Sequence, residues 1–226
     1  MTEQLEKYIE CHTDPEGDYL HRLWRATNIH TVHGRMASGH LQGRLLKMLV
    51  EMIRPHYILE IGTFSGYSAI CMAEGLRTVD EEARARGDRS PRQLYTYEIN
   101  DELEDFTRSW IKGSDVARYI DFRIGDALTE APRLGVSFDL VFLDGDKRTY
   151  VEAYEMALQV LSPGAFIIAD NTLWDGHVVD PAYSRDQMTH GIEAFNDLVA
   201  HDQRVERVLL PLRDGLTLIH KKACHG

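Results

Sequence analysis

Four acidic residues fall at or near the ends of short apolar runs. They are Glu60 in YILEIG (57–62), Glu98 in LYTYEI (94–99), Asp144 in FDLVFLD (138–144) and Asp170 in AFIIAD (165–170). Compact apolar runs of this kind suit strands buried on both faces, as in a parallel sheet. In an open α/β sheet, ligands bind beyond the carboxyl ends of the strands. Carboxylates there can accept hydrogen bonds from a ligand's hydroxyls, and four of them along one sheet edge make a site.

The first of these runs leads into a glycine-bearing turn, LEIGTFSGYS (59–68). Gly62 lets the backbone come close to a ligand, and Gly66 lets the following helix pack tightly on the strand. Several glycine-rich signatures are excluded by the letters. A GxGxxG loop needs glycine where Phe64 stands, a Walker loop needs Gly-Lys-Ser/Thr, and a nucleophile elbow needs GxSxG.

Elements that could position these residues follow from periodicity. Leu41, Leu45, Leu46, Leu49, Val50 and Ile53 recur at helical spacing from about His40, and Pro55 ends the pattern. Helix-like patterns also occupy 67–76 and 148–160. Strand and helix alternate, which predicts an α/β, Rossmann-like, doubly wound and mostly parallel sheet. The C-terminal segments VERVLLPL and LTLIHK flank Arg213-Asp214-Gly215 and predict an antiparallel hairpin closing the sheet edge. Residues 78–93, TVDEEARARGDRSPRQ, carry four acids and four arginines and read as a charged surface insertion or an extended helix end, with a solvated face. The whole chain reads as a single domain, with 1–54 as an N-terminal helical cap.

Composition narrows the class. The 226 residues suffice for one generous core. Lys+Arg 25 against Asp+Glu 36 gives a net charge of −11, which argues against a nucleic-acid binder needing a basic face. Cys11, Cys71 and Cys224 are odd in number and far apart, so a reducing compartment fits better than a disulfide framework. The N-terminus lacks the pattern of a secretory signal, and the longest apolar stretch, 165–169, is too short to span a membrane. The expectation is a soluble cytoplasmic enzyme that engages neither nucleic acid nor membrane.

The E-x-G-x-x-x-G form of 60–66 is the form found in S-adenosylmethionine-dependent methyltransferases. Three further blocks make the resemblance specific: FDLVFLDGDKRTY (138–150), IIADNTLWDGHV (167–178) and LLPLRDGLTL (209–218). With MASGHLQGRLL near Met36, the chain resembles the cation-dependent O-methyltransferases of the catechol and caffeoyl-CoA type, over about 34–222. The resemblance implies a class I methyltransferase fold, S-adenosylmethionine as cofactor and a divalent cation. It also implies a small phenolic acceptor with adjacent hydroxyls, and a homodimer.

Residue by residue, Lys147 matches the family's catalytic lysine. Asp144, Asp170 and Asn171 match its metal ligands, a hard all-oxygen set suited to magnesium, with calcium or manganese as alternatives. Zinc or copper would want histidine or cysteine, and the His30/His33 pair reads as a polar helix face. Met36, Glu60, Gly62, Phe64, Ser68, Glu98, Asp126 and Asp144 match the cofactor pocket, Asp214 matches the family's substrate-facing loop, and Trp174 is placed either to wall the acceptor pocket or to pack. Glu98 lies 32 residues beyond Gly66, and the charged insertion accounts for the excess over the usual spacing. The family's DADK is Asp144-Gly145-Asp146-Lys147 here, and Thr149 stands where many members have asparagine. Two alternatives remain open from the residues: a cofactor-binding module without catalysis, and an NAD-dependent dehydrogenase, the latter disfavoured by Phe64.

Overall fold

All four apolar runs form strands, and their neighbours explain why both faces are apolar. In the computed structural model, which describes residues 2–32 and 34–223, the elements in chain order begin with helices α1 (Glu3–Cys11), α2 (Asp18–His30) and α3 (Gly39–Ile53). Then come β1 (Tyr57–Ile61), α4 (Tyr67–Ala85), β2 (Gln93–Glu98), α5 (Glu104–Gly113), β3 (Ile120–Ile124) and α6 (Ala127–Glu130). The chain continues through β4 (Phe138–Leu143), α7 (Tyr150–Val160), β5 (Leu161–Asp170), α8 (Gln187–His201), β6 (Val205–Leu210) and β7 (Leu216–Lys221). His33 and Cys224 lie outside the described residues. No described helix is long and apolar enough to cross a membrane.

Seven strands form one sheet in the order β3-β2-β1-β4-β5-β7-β6. β1 runs parallel to β4 and β4 parallel to β5, with Leu143 opposite Ala169. That register brings Asp144 and Asp170, each the next residue along, to the same edge. β7 runs antiparallel to β5, and β6 antiparallel to β7, so the predicted hairpin forms around 211–215. β3 has no counterpart in the sequence reading. Its IDFRI alternates polar and apolar residues, and it sits at the sheet's edge, where one face needs no apolar cover.

The chain's contacts divide into two compact units. One comprises Met1–Arg54, Thr63–Leu94 and Asn100–Phe122 and is chiefly helical. Leu46 and Val50 of α3 are buried, as are Leu76 and Val79 of α4. The two helices approach closely: a Cβ on Gly75 would lie 2.7 Å from the carbonyl oxygen of Lys47. The buried stripe of α3 is Gln42, Gly43, Leu46 and Val50, and the other leucines of the predicted stripe are only half-buried.

The charged residues of the segment 78–93 are mostly exposed, as a solvated face would be. Its first half, 78–85, continues α4, but Asp80 there is only 1% exposed. Asp80 accepts from Arg84 at 2.8 Å and from the Tyr119 hydroxyl at 2.9 Å, with Arg92 and Arg118 each 3.8 Å away. Three arginines and a phenol compensate the burial of one carboxylate, which alone would be costly.

The second unit comprises Pro55–Gly62, Tyr95–Ile99 and Arg123–Gly226. Leu59, Val141, Leu143 and Ile167 from its strands share a core with Tyr150 and Tyr154 of α7 and with Phe195 of α8. Phe195 meets both tyrosine rings edge-on, at 5.3 and 5.8 Å. Beyond α8, the buried Asp202 carboxylate accepts from the Tyr154 hydroxyl and the Arg204 backbone N–H, both at 2.8 Å. The Arg204 guanidinium also reaches Asp202 and, on α7, Glu155. Hydrogen bonds from Arg204 hold the Asp202 carboxyl down at about 2, against the opposing effect of burial.

A carboxyl whose pKa is depressed by folding stabilises the fold above its unfolded pKa and loses that contribution as pH falls toward its folded value. Asp202→Asn is therefore expected to cost about 2 kcal/mol at pH 7, on the scale of 1.36 kcal/mol per pH unit. The difference from the parent chain should shrink between about pH 4 and pH 2, as read by urea unfolding across that range.

Candidate active site

The turn after β4 is built by close backbone approach. The Asp144 N–H donates to the Ile61 carbonyl at 2.9 Å, and the Gly62 N–H donates to the Tyr97 carbonyl at 2.9 Å. Gly62 has φ of 98°, and a Cβ there would lie 2.3 Å from the Asp144 carbonyl oxygen. Both its conformation and its clearance therefore demand glycine. Gly145, where the family has alanine, packs on Ile61, whose Cγ2 would lie 3.2 Å from an added Cβ.

Asp146 caps the short turn Lys147–Thr149 by accepting from the Arg148 N–H at 3.0 Å. The Thr149 hydroxyl donates back to the Asp146 carbonyl, also at 3.0 Å, so it serves the turn. Lys147 is 6% exposed. Its Nζ donates to Asp144 Oδ1 at 3.1 Å and to the Tyr150 hydroxyl at 2.6 Å. Burial pushes the Asp144 carboxyl up to about 7; Lys147 opposes this and Asp170 adds to it.

After β5, Asp170 is buried and Oδ1 accepts from the Asn171 N–H at 2.8 Å. Asn171 takes a left-handed φ of 59°. The loop that follows is meshed with the β6–β7 turn. Thr172 N–H donates to Gly215 O at 3.1 Å and Leu173 N–H to Asp214 O at 2.9 Å. The Asp214 carboxylate accepts from the Asp175 N–H, and the Asn171 side chain also reaches it. Burial raises the Asp214 carboxyl, and Asp175 and Asp170 raise it further.

Asp144, Lys147, Asp170, Asn171 and Asp214 thus gather in the second unit. Among the described residues, no group of three or more His, Cys, Asp or Glu is placed to hold a metal ion. A cation here would rely on two carboxylates and the Asn171 amide. That donor set fits a hard dication: Asp170 is close enough to disfavour the charge on Asp144, and a dication would supply what one lysine does not.

Trp174 lies in the same loop with φ of 48°, half-buried against the sheet core. Next to it, Leu173, Val178, Val179, Arg213 and Asp214 line an open cavity of about 530 Å³. Glu98 is half-buried at the end of β2, and its carbonyl accepts from Gly125 N–H at 2.9 Å. Asp126 caps α6 through the Leu128 N–H at 2.9 Å. Glu60 differs from the ligand-facing edge acid expected of it. The pleat turns it inward to 0% exposure, and it accepts from Thr96 at 2.5 Å. Its carboxylate ties β1 to β2 and faces no solvent.

Met36, Phe64 and Ser68 belong to the helical unit. Met36 is 61% exposed in the turn Gly34–Met36. Phe64 has φ of 47°, and its carbonyl accepts from the Thr107 hydroxyl at 2.5 Å. Ser68 is buried in the first turn of α4.

Two residues of the lysine's surroundings escape the sequence reading. Tyr150 is one, and its place three residues beyond Lys147, at the start of a helix, was the available signal. Gly191 of α8 is the other: a Cβ there would lie 2.2 Å from the Lys147 carbonyl oxygen. No local pattern announces it.

A mostly parallel sheet with an antiparallel C-terminal pair, and acids and a buried lysine beyond β4 and β5, define a class I methyltransferase. Residues 10–222 match the family model described as O-methyltransferase, and the chain belongs to that family. It is 31% identical over 218 residues to tricin synthase 2 of Oryza sativa subsp. japonica, covering 91% of this chain and 70% of that one. It is 28% identical over 233 residues to the caffeoyl-CoA O-methyltransferase of Stellaria longipes, covering 98% and 91%. The crystal structure of the O-methyltransferase from Bacillus cereus in complex with SAH superposes with a TM-score of 0.82 at 27% identity, covering 97% of each chain.

Gly191→Ala should push the Lys147 turn away from α8. Overpacking of this kind costs about 1–3 kcal/mol. Thermal unfolding should show that loss, and methyl transfer should fall with it; unchanged stability and turnover would contradict the contact.

Proposed function

We propose that this chain transfers a methyl group from S-adenosylmethionine to one hydroxyl of a small catechol-like acceptor, assisted by a divalent cation, magnesium first. The observation that carries this reading is Lys147, buried beside Asp144 at the sheet edge that also bears Asp170 and Asn171. Lys147 takes the proton from the acceptor hydroxyl, its nitrogen held by Asp144 and the Tyr150 hydroxyl at hydrogen-bond distance. The acceptor oxygen then bonds to the methyl carbon as the carbon–sulfur bond breaks, leaving S-adenosylhomocysteine. A cation bound by Asp144, Asp170 and Asn171 would stabilise the acceptor's oxyanion and orient its paired oxygens.

Gly62 would let the cofactor approach the backbone, Glu98 would accept from its ribose hydroxyls, and Asp126 would lie toward its adenine. Met36, Phe64 and Ser68 are assigned to the cofactor by the family resemblance. Trp174 and the cavity beside it would receive the acceptor. Free Cys11 and Cys71 are in keeping with a reducing cytoplasmic setting. The resemblance also supports a homodimer.

Transfer of labelled methyl to catechol should stop in chelator and return with magnesium. Full activity in chelator would remove the cation from the reading. Lys147→Ala and Asp144→Ala should each lower turnover by about 10²-fold or more, the range of a general base. Cofactor affinity should stay within a few-fold when titrated by calorimetry. Cofactor binding by the parent chain without transfer to any phenol would favour a non-catalytic module instead.

A further inference from the structure

Tyr150 opens α7 three residues after Lys147, and its side chain is buried. The hydroxyl accepts an N–H from Lys147 at 2.6 Å and lies 3.1 Å from the Leu143 carbonyl oxygen and 2.9 Å from that of Asp170. A phenol has one hydrogen to donate, so it serves these carbonyls in alternation or shares its hydrogen between them. Leu143 ends β4 and Asp170 ends β5. One oxygen thus ties the lysine nitrogen to both strand ends that carry the acids of the site. The ring is fixed edge-on by Phe195 at 5.3 Å, and Lys147 Nζ lies 4.6 Å from the ring centroid.

We infer that Tyr150 is a positioning residue for Lys147. Its hydroxyl takes one hydrogen of Nζ and Asp144 takes another, which leaves one tetrahedral direction of the nitrogen for the proton of the acceptor. Geometry this close to a reacting proton matters, since general-base catalysis requires the base within hydrogen-bond reach. The inference rests on the reading of Lys147 as the base. A tyrosine that merely filled the core would need its ring and not its hydroxyl.

Tyr150→Phe keeps the ring and separates the two roles. Steady-state kinetics with a catechol should show kcat lowered about 10–100-fold, within the range of lost general-base catalysis, with the cofactor KM within about twofold. In a double-mutant cycle, Tyr150→Phe should add no further loss to Lys147→Ala, as expected for residues acting as one unit. Tyr154→Phe, on the same helix, loses a buried hydroxyl contact to Asp202 and should leave kcat unchanged.

A kcat for Tyr150→Phe within twofold of the parent, or an equal loss in both backgrounds, would overturn the inference while leaving the base in place. Full kcat in Lys147→Ala alone would overturn the base and this inference with it. Should Tyr150→Phe fail to fold, near-isosteric fluorotyrosine at position 150 weakens the accepting oxygen. Its kcat should then fall with each added fluorine, and an unchanged kcat would overturn the positioning role.

Discussion

A lysine nitrogen buried among carboxyl groups sets the terms for the sheet edge around it. Burying an ammonium without partners costs several kcal/mol, so Lys147 has to be given specific acceptors at fixed places. Asp144 and the Tyr150 hydroxyl are those acceptors. Their placement requires β4 and β5 to end in register, which they do, with Leu143 opposite Ala169. It also requires two close approaches that side chains would block. Gly62 admits the Asp144 carbonyl from one direction, and Gly191 admits the Lys147 carbonyl from another. The fold around the site follows from keeping these few atoms within hydrogen-bond reach.

Charge at that edge is deliberately unbalanced. Asp170 raises both Asp144 and Asp214, Asp175 raises Asp214 further, and Lys147 and Arg213 oppose the rise at Asp144. Burial, with the Asp170 charge nearby, raises Asp144 to about 7, the behaviour of an acid short of counter-charge. The net charge of −11 acquires a local meaning here that its total does not convey. The charged stretch 78–93 is the contrary case, because its Asp80 is already matched by arginines and a tyrosine.

Much of the frame was legible because strands buried on both faces are written as largely apolar runs. β1, β2, β4 and the end of β5 follow that rule, and the hairpin turn at Arg213-Asp214-Gly215 is equally plain. β3 was lost because an edge strand alternates, and Asp121 and Arg123 break its apolar run. The family motif located Lys147, Asp144, Asp170 and Asn171 directly. Tertiary partners decided the rest. Nothing near Glu60 in sequence shows that Thr96 will bury its carboxylate, and nothing near Gly191 shows that a carbonyl will pass 2.2 Å from its missing Cβ. Clearance and pairing between distant segments leave no local signature.

We propose that one sheet edge brings a hard cation, an acceptor oxygen and the lysine nitrogen together. A crystal structure with SAH, manganese and a catechol tests it most directly. The expected result is an anomalous peak ligated by Asp144, Asp170 and Asn171, with Lys147 Nζ within hydrogen-bond distance of one catechol oxygen. Manganese bound elsewhere, or a catechol whose oxygens lie out of reach of Lys147, would contradict it.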